Sequence, residues 1–124
     1  LTDAPTREIH YINMRRQQRR ILLQVTKDAQ KVQGHPPQEA EVRALIGCIF
    51  SEYDRENDCS SLLSALHDLL AEMQHQPLPV TRGEFEDRAL LYVLLRRMED
   101  FLLLKREFYE IYGYEMNRQL ERKS

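Results

Sequence analysis

One stretch of the sequence has the spacing of metal ligands. Residues 72–75 are Glu-Met-Gln-His, so a glutamate and a histidine share one face of a helix. A di-iron bundle needs two such pairs and two further helical glutamates, all facing inward, and the sequence has one copy, beside Pro77. His10, His35 and His67 have no ligand partner at a useful spacing. We therefore expect no metal site and no cofactor.

Nucleophilic chemistry has no better support in the sequence. Ser60 and Ser61 precede a helical pattern, where serine commonly caps the helix. Neither serine lies in the glycine-rich turn that exposes a serine nucleophile, and the glycines form no phosphate-binding loop. We predict that the protein is not an enzyme, and we assign it no catalytic residue.

Two polar residues interrupt apolar helical stripes, Gln18 in the first helix and Lys105 in the last. Polar groups that face a core need hydrogen-bonding partners. One interpretation is a glutamine bonded to a neighbouring helix and a lysine whose charge extends past its aliphatic stem. The other is a polar pocket for a small carboxylate, which Arg88 and Tyr92 would complete. We favour the first interpretation and keep the four-residue ligand site as a hypothesis.

Basic residues crowd the start of the chain. They could form a solvated helix face, a surface against anionic lipid or a nucleic-acid site. Bases need stacking aromatic side chains among the positive charges, and only Tyr11 is close, so we expect no nucleic-acid partner. Ile9, Ile12 and Leu23 share the arginine face, and this mixture suits an interface. The members of this basic cluster are Arg7, Arg15, Arg16, Arg19 and Arg20.

The composition indicates a single all-α domain. The 124 residues carry a formal net charge of −2 with few glycines and prolines, which favours helices around one core. Cys48 and Cys59 are too few for a disulfide framework, which fits a reducing compartment, and Cys48 lies in an apolar pattern that predicts burial. No apolar run approaches the ~20 residues of a membrane span. Because the chain begins with Leu1 and not with Met, we expect it to be an excised piece or a processed product.

Helix-breaking residues divide the chain into four predicted helices. Apolar residues spaced three and four apart form the first helix, which ends before Gly34. Asn57 and Asp58 end the second helix, and Pro77 and Pro79 end the third. The expected lengths are about 27, 19, 16 and 40 residues in chain order, at ~1.5 Å per residue.

The fourth helix is predicted to begin with a capping box between Thr81 and Glu84, followed by an ion pair between Glu84 and Arg88. Its middle is apolar over more than one stripe, so it should contact neighbours on two sides. Short loops make sequential helices antiparallel. We predict an antiparallel up-down four-helix bundle with long first and fourth helices, in a single domain of residues 1–124.

The unequal lengths leave the far end of the fourth helix without companions. Large aromatic and aliphatic side chains in such a projection are poorly suited to water. A fold-back of residues 1–5, a second copy of the chain or a missing segment could cover them. The residues of this predicted interface are Phe108, Tyr109, Ile111, Tyr112, Tyr114 and Met116.

Two stretches carry a family resemblance. Residues 10–18 (HYINMRRQQ) and 77–92 (PLPVTRGEFEDRALLY) are similar to the C-terminal cytoplasmic domain of the bacterial aromatic acid exporter family, related to fusaric acid resistance proteins. Glu99 and residues 101–105 follow the same pattern. Gly83 departs from it and weakens the first turn of the helix, but both capping residues are in place.

The resemblance implies a transporter-associated domain on the cytoplasmic side of the cell membrane, with an N-terminal membrane domain as its partner. It carries over no catalytic residue. We hypothesise that the domain assembles or regulates a multi-pass exporter and forms a homo-oligomer. Cytoplasmic segments near membrane spans carry an excess of basic residues, and the basic cluster fits this position. We therefore also expect contact with anionic lipid. The alternatives are a stand-alone soluble bundle that binds a small aromatic carboxylate and a protein-interaction adaptor.

Overall fold

The protein was analysed as a computed structural model that describes residues 3–53, 55 and 57–123, with the side chains of 3–5 and 114–123 left out. Its elements in chain order are α1 (Asp3–Ala29), α2 (Glu39–Ser51), α3 (Ser60–Gln74) and α4 (Arg82–Lys123). The described residues contain no strand. The prediction of an all-α chain with four helices is therefore confirmed.

The start of α4 follows most of the predicted capping pattern. The hydroxyl of Thr81 accepts a hydrogen bond from the backbone N–H of Glu84 at 3.1 Å. The Glu84 carboxylate accepts from the N–H of Val80 at 3.0 Å, one residue before the expected donor. The predicted ion pair between Glu84 and Arg88 is wrong, because Arg88 Nη1 instead donates to the carbonyl of Pro77 at 2.7 Å.

The α2 helix ends six residues earlier than Asn57, with Ser51 as its last residue. The N–H of Glu52 still bonds to the carbonyls of Cys48 and Ile49, and the chain then turns. The side chain of Asp58 accepts from the N–H of Ser60 at 3.1 Å, which satisfies one free donor at the start of α3.

The two cysteines differ in burial, and the one that the sequence places in an apolar pattern is the exposed one. Cys48 is exposed on α2, so the prediction that it is buried is wrong. Cys59 is the buried cysteine, and burial raises the pKa of its thiol. It precedes α3 with φ of 61°, a left-handed conformation that is uncommon for residues other than glycine.

The core is centred on α4, which lies against each of the other three helices, while α2 also packs on α3. The backbones of α1 and α2 stay more than 8 Å apart throughout the described residues. The α4 side chains in the core are Leu91, Leu94, Leu95, Met98, Phe101 and Leu102.

Polar contacts join α1 and its following loop to α4 in opposite chain order. Moving towards the start of α1, each successive partner lies further along α4. The pairs are Gly34 with Asp87, Asp28 with Arg97, Gln18 with Phe101 and His10 with Tyr112. We call this line of contacts the α1–α4 seam.

Candidate functional site

The middle of the α1–α4 seam is held by Gln18, which is completely buried. Its Nε2 donates to the backbone carbonyl of Phe101 at 3.1 Å. Its Oε1 accepts a hydrogen bond from Arg15 Nη1 at 3.0 Å. Gln18 is thus bonded to the neighbouring helix, as the favoured interpretation predicted.

Arg15 extends this network to the turn after α2. Its Nη2 donates to the carbonyl of Tyr53 at 3.2 Å, and its guanidinium lies 4.1 Å from the centre of the Tyr53 ring. Its Nε donates to the hydroxyl of Tyr11 at 3.1 Å. A guanidinium over an aromatic face is stabilised by the ring's negative charge density. Arg15 is thus half-buried, and its guanidinium is engaged within the fold and not free on the basic surface.

The four residues of the hypothetical ligand site lie in two separate places. Lys105 is buried, and its Nζ donates to the carbonyl of Glu52 at 2.9 Å. It lies one turn of α4 beyond Phe101, whose carbonyl binds Gln18 of α1. Arg88 lies near the start of α4, roughly 25 Å from Lys105 by helix rise. The hydroxyl of Tyr92 accepts from Arg96 Nη2 at 2.9 Å, which lowers the pKa of Tyr92. The structure does not bring the two pairs together, and ligand binding by them stays a prediction.

The predicted interface near the end of α4 is partly covered by α1. Tyr112 is buried, and its hydroxyl lies 2.7 Å from Nδ1 of His10. The ring of Phe108 packs 4.9 Å from that of Tyr112 and 5.6 Å from that of Tyr11. Ile111 is exposed.

The remaining members of that predicted interface are Tyr109, Tyr114 and Met116. Tyr109 is half-buried, and its ring packs over Gly113, where an added Cβ would meet it at 3.0 Å. The side chains of Tyr114 and Met116 lie outside the described residues. Self-association through this region stays a prediction.

Two buried aspartates complete the α1–α4 seam, and the sequence analysis missed both. Asp28 accepts hydrogen bonds from Gln24 at 3.1 Å, Lys31 at 3.3 Å and Arg97 at 3.1 Å. Burial pushes the pKa of Asp28 upward, but these donors and their charges outweigh it, so its pKa lies below the ordinary value.

Asp87 joins the loop after α1 to the first turns of α4. Its two carboxylate oxygens accept from the backbone N–H groups of Gln33 at 3.0 Å and Gly34 at 2.8 Å. Its position was signalled in the sequence, since Asp87 lies four residues before Leu91 on the buried stripe of α4. A charged residue on the buried stripe of a helix indicates a polar contact with another segment. Lys105, further along the same stripe of α4, is a second example.

An open groove separates α1 from α2. It has a volume of about 640 Å³ and is mainly apolar, with Phe50 at its edge and 46% exposed. The α1 side includes Val25 and Ala29, and the α2 side includes Ile46 and Gly47. We call it the α1–α2 groove.

The described residues form neither a metal site nor a membrane span. Among the described residues, no three His, Cys, Asp or Glu side chains lie close enough to hold a metal ion. Glu72 of the Glu-Met-Gln-His stretch lies beside Glu41, whose negative charge raises the pKa of Glu72. Within the described part of the chain, each helix lacks the combination of length and apolar character that crossing a bilayer requires.

Comparison with known proteins gave a family match and a bacterial relative. Residues 1–106 match the family described as "Putative aromatic acid exporter C-terminal domain". Over 99 residues, which is 80% of the chain, the sequence is 31% identical to "Uncharacterized protein YqjA" of Bacillus subtilis (strain 168). The chain spans about a third, 31%, of the length of that relative. No solved structure gave a significant match.

Proposed function

Because the chain belongs to the aromatic acid exporter C-terminal domain family, we propose that it is a non-catalytic cytoplasmic domain of a multi-pass membrane exporter. Its role there is to assemble the exporter or to regulate it. The observation that carries this proposal is the family match over residues 1–106. The family is associated with transporters and not with a class of enzyme.

The use of buried polar groups supports a scaffolding role. Gln18, Asp28 and Asp87 each bond to another segment of the chain through the α1–α4 seam. Buried polar groups that are fully bonded fix one arrangement of helices, because any shift would leave a donor or acceptor without a partner. The opposite order of these contacts along α1 and α4 also favours our proposal of an antiparallel up-down bundle.

The proposed partner is the exporter's own N-terminal membrane domain. The relative from Bacillus subtilis is about three times as long as the matched region, which leaves room for such a domain. In this position the arginines of α1 would lie close to lipid headgroups on the cytoplasmic side of the cell membrane.

Deletion of this domain from the full-length exporter tests the proposal. The measurements are the amount of exporter in the membrane fraction and the efflux of aromatic carboxylic acids from cells. Loss of the membrane-inserted protein would assign the domain to assembly, and normal insertion with altered efflux would assign it to regulation. Co-expression of the 124-residue chain as a separate protein should restore the affected property. Unchanged insertion and unchanged efflux would overturn the proposal.

We also propose that the domain forms homo-oligomers through the exposed side of α4 near Ile111. Tyr112 is a poor site for the test because it packs on His10 within the same chain. Ile111→Glu adds a charge at an exposed position and should lower the mass measured by analytical ultracentrifugation. The matched control is Leu78→Glu, at an exposed position in the loop before α4. A parent chain that already sediments as a monomer would refute the proposal.

A further inference from the structure

One side of α1 combines arginines with exposed aliphatic side chains. At 100° per residue its members fall within an arc of roughly 100°, opposite the side on which Met14, Gln18 and Val25 are buried. We call this side the outer face of α1. Between residues 9 and 23 it consists of Ile9, Ile12, Arg16, Arg19, Arg20 and Leu23.

The arginines of the outer face have no partner among the described residues. Among the side chains that the structure describes, arginines on the surfaces of the other helices are paired with a glutamate one turn away, as in Arg43 with Glu39 and Arg106 with Glu110. No such pairing is open to the outer face, because the sequence has no acidic residue between Glu8 and Asp28. This concentration of positive charge stands in a chain whose net charge is −2.

The aliphatic members of the outer face are strongly exposed. Ile9 is 57% exposed, Ile12 49% and Leu23 60%, so each leaves much of its apolar surface in water. A helix face that only needs to be solvated gains nothing from such residues. Their position beside unpaired arginines indicates a partner that offers negative charge and apolar surface together.

We propose that the outer face of α1 binds the surface of an anionic lipid bilayer. The helix lies parallel to the membrane, with Ile9, Ile12 and Leu23 at the boundary of the acyl chains and Arg16, Arg19 and Arg20 against the phosphates. Arg15 takes no part, because the α1–α4 seam uses its guanidinium.

Two features of the face favour lipid over other anionic partners. Nucleic acid would leave the isoleucines and Leu23 without an apolar contact, and the one nearby aromatic residue, Tyr11, already packs on Phe108. A protein helix would need a groove to seat in, whereas the outer face is the convex side of a single helix. A fluid bilayer needs no matching shape.

The inference relies on the proposed function only for which membrane is bound, so the binding itself can be tested with vesicles. The probe is the 124-residue chain mixed with vesicles of phosphatidylcholine alone or of phosphatidylcholine with phosphatidylglycerol, followed by sedimentation. We expect binding to the anionic vesicles and a steep fall in binding as salt is raised.

The decisive variant replaces Arg16, Arg19 and Arg20 by Gln. Each basic residue near an anionic surface contributes about fivefold in affinity, so the triple variant should bind about 100-fold more weakly at low salt. The control replaces Arg43, Arg82 and Arg106 by Gln. It has the same charge change on other helices, where each arginine is paired with a glutamate, and should bind much as the parent does.

A second variant separates insertion from charge attraction alone. Ile12→Ser with Leu23→Ser keeps every charge and should still weaken vesicle binding severalfold. Circular dichroism of each variant checks that the helices remain folded.

Several outcomes would overturn the inference. They are equal sedimentation with neutral and anionic vesicles, equal loss in the two arginine triples, or tighter binding to duplex DNA than to anionic vesicles. Vesicle binding that persists while domain deletion leaves the exporter unaffected would uphold the inference and refute the proposed function. Loss of the exporter or of its efflux on domain deletion, with no vesicle binding by the domain, would uphold the proposed function and refute the inference.

Discussion

α1 meets its two neighbours in contrasting ways. Along the α1–α4 seam, buried polar groups and packed rings join the two helices from His10 to the loop at Gly34. Along the α1–α2 groove, the two backbones stay apart and leave about 640 Å³ open, with Phe50 exposed at the edge. The polar contacts of α1 are therefore made mainly to α4, and Arg15 adds one to the turn after α2.

Two phenylalanines give the sharpest test of this contrast. Phe101 is 1% exposed and lies at the seam, so Phe101→Ala should lower the free energy of unfolding by about 3–5 kcal/mol. Phe50→Ala in the groove removes the same atoms from a half-exposed site and should cost under ~1 kcal/mol. Urea unfolding followed by circular dichroism measures both. Similar losses would mean that the groove is as important to stability as the seam.

Gln18 of α1 and Gln30, the first residue after that helix, extend the comparison to hydrogen bonds. Gln18→Leu removes the bonds to the Phe101 carbonyl and to Arg15 while keeping most of the side-chain volume, and should cost about 2 kcal/mol. Gln30→Leu, at the α1–α2 groove, should change stability by less than ~0.5 kcal/mol. The same urea titrations apply, and a neutral Gln18→Leu would show that burial alone, without hydrogen bonding, holds the seam.

Acid unfolding probes the charged part of the seam. The pKa of Asp28 is lower in the folded chain than in the unfolded one, so its contribution is complete above the unfolded pKa of about 4 and is lost as pH falls through the folded value. Asp28→Asn should therefore cost about 1 kcal/mol at pH 7 and close to nothing at the acid end of the titration.

The control for Asp28→Asn is Asp100→Asn, at an exposed position of α4. It should follow the parent at every pH. Thermal melts across the pH range would contradict the assignment if the difference between Asp28→Asn and the parent stayed constant.

The smallest effects come from two glycines, and they should have opposite signs. At Gly34 an added Cβ would lie 2.9 Å from the Asp87 carboxylate, so Gly34→Ala should destabilise the chain by about 1 kcal/mol. Gly47 faces the groove with nothing within 4 Å of an added Cβ. Gly47→Ala in α2 should stabilise by about 0.5–1 kcal/mol through helix propensity. A lower melting temperature for Gly47→Ala would contradict the open space at that position, and a higher one for Gly34→Ala would contradict the close approach of Asp87.

The sequence predicted the elements better than their contacts. Glycine, proline and the cap at Thr81 located most helix ends, because local backbone chemistry determines them. The end of α2 was misplaced because Tyr53 continues its apolar pattern. In the structure, Tyr53 instead lies in a turn and packs on Arg15 and Phe101.

The polar contacts of the seam were only half visible in the sequence. Gln18 and Lys105 stood out as polar residues on apolar stripes, and both are buried. The charge of Lys105 was expected to extend past its aliphatic stem, but its Nζ instead donates to a backbone carbonyl of the fold. The acceptors of the two side chains are backbone carbonyls of Phe101 and Glu52, which have no side-chain signature. Asp28 and Asp87 carried the same signal, but helix-terminal positions made them look like ordinary surface charges.

Asp87 gives the fold a direct mechanical connection. Its carboxylate accepts hydrogen bonds from two successive backbone amides of the segment that follows α1. Thr81 and Glu84 form hydrogen bonds with the backbone at the start of α4, just before Asp87. A displacement of the end of α1 would thus be transmitted to the beginning of α4 through these two hydrogen bonds, without first deforming the apolar core. Movement of either element would therefore be transmitted to the other.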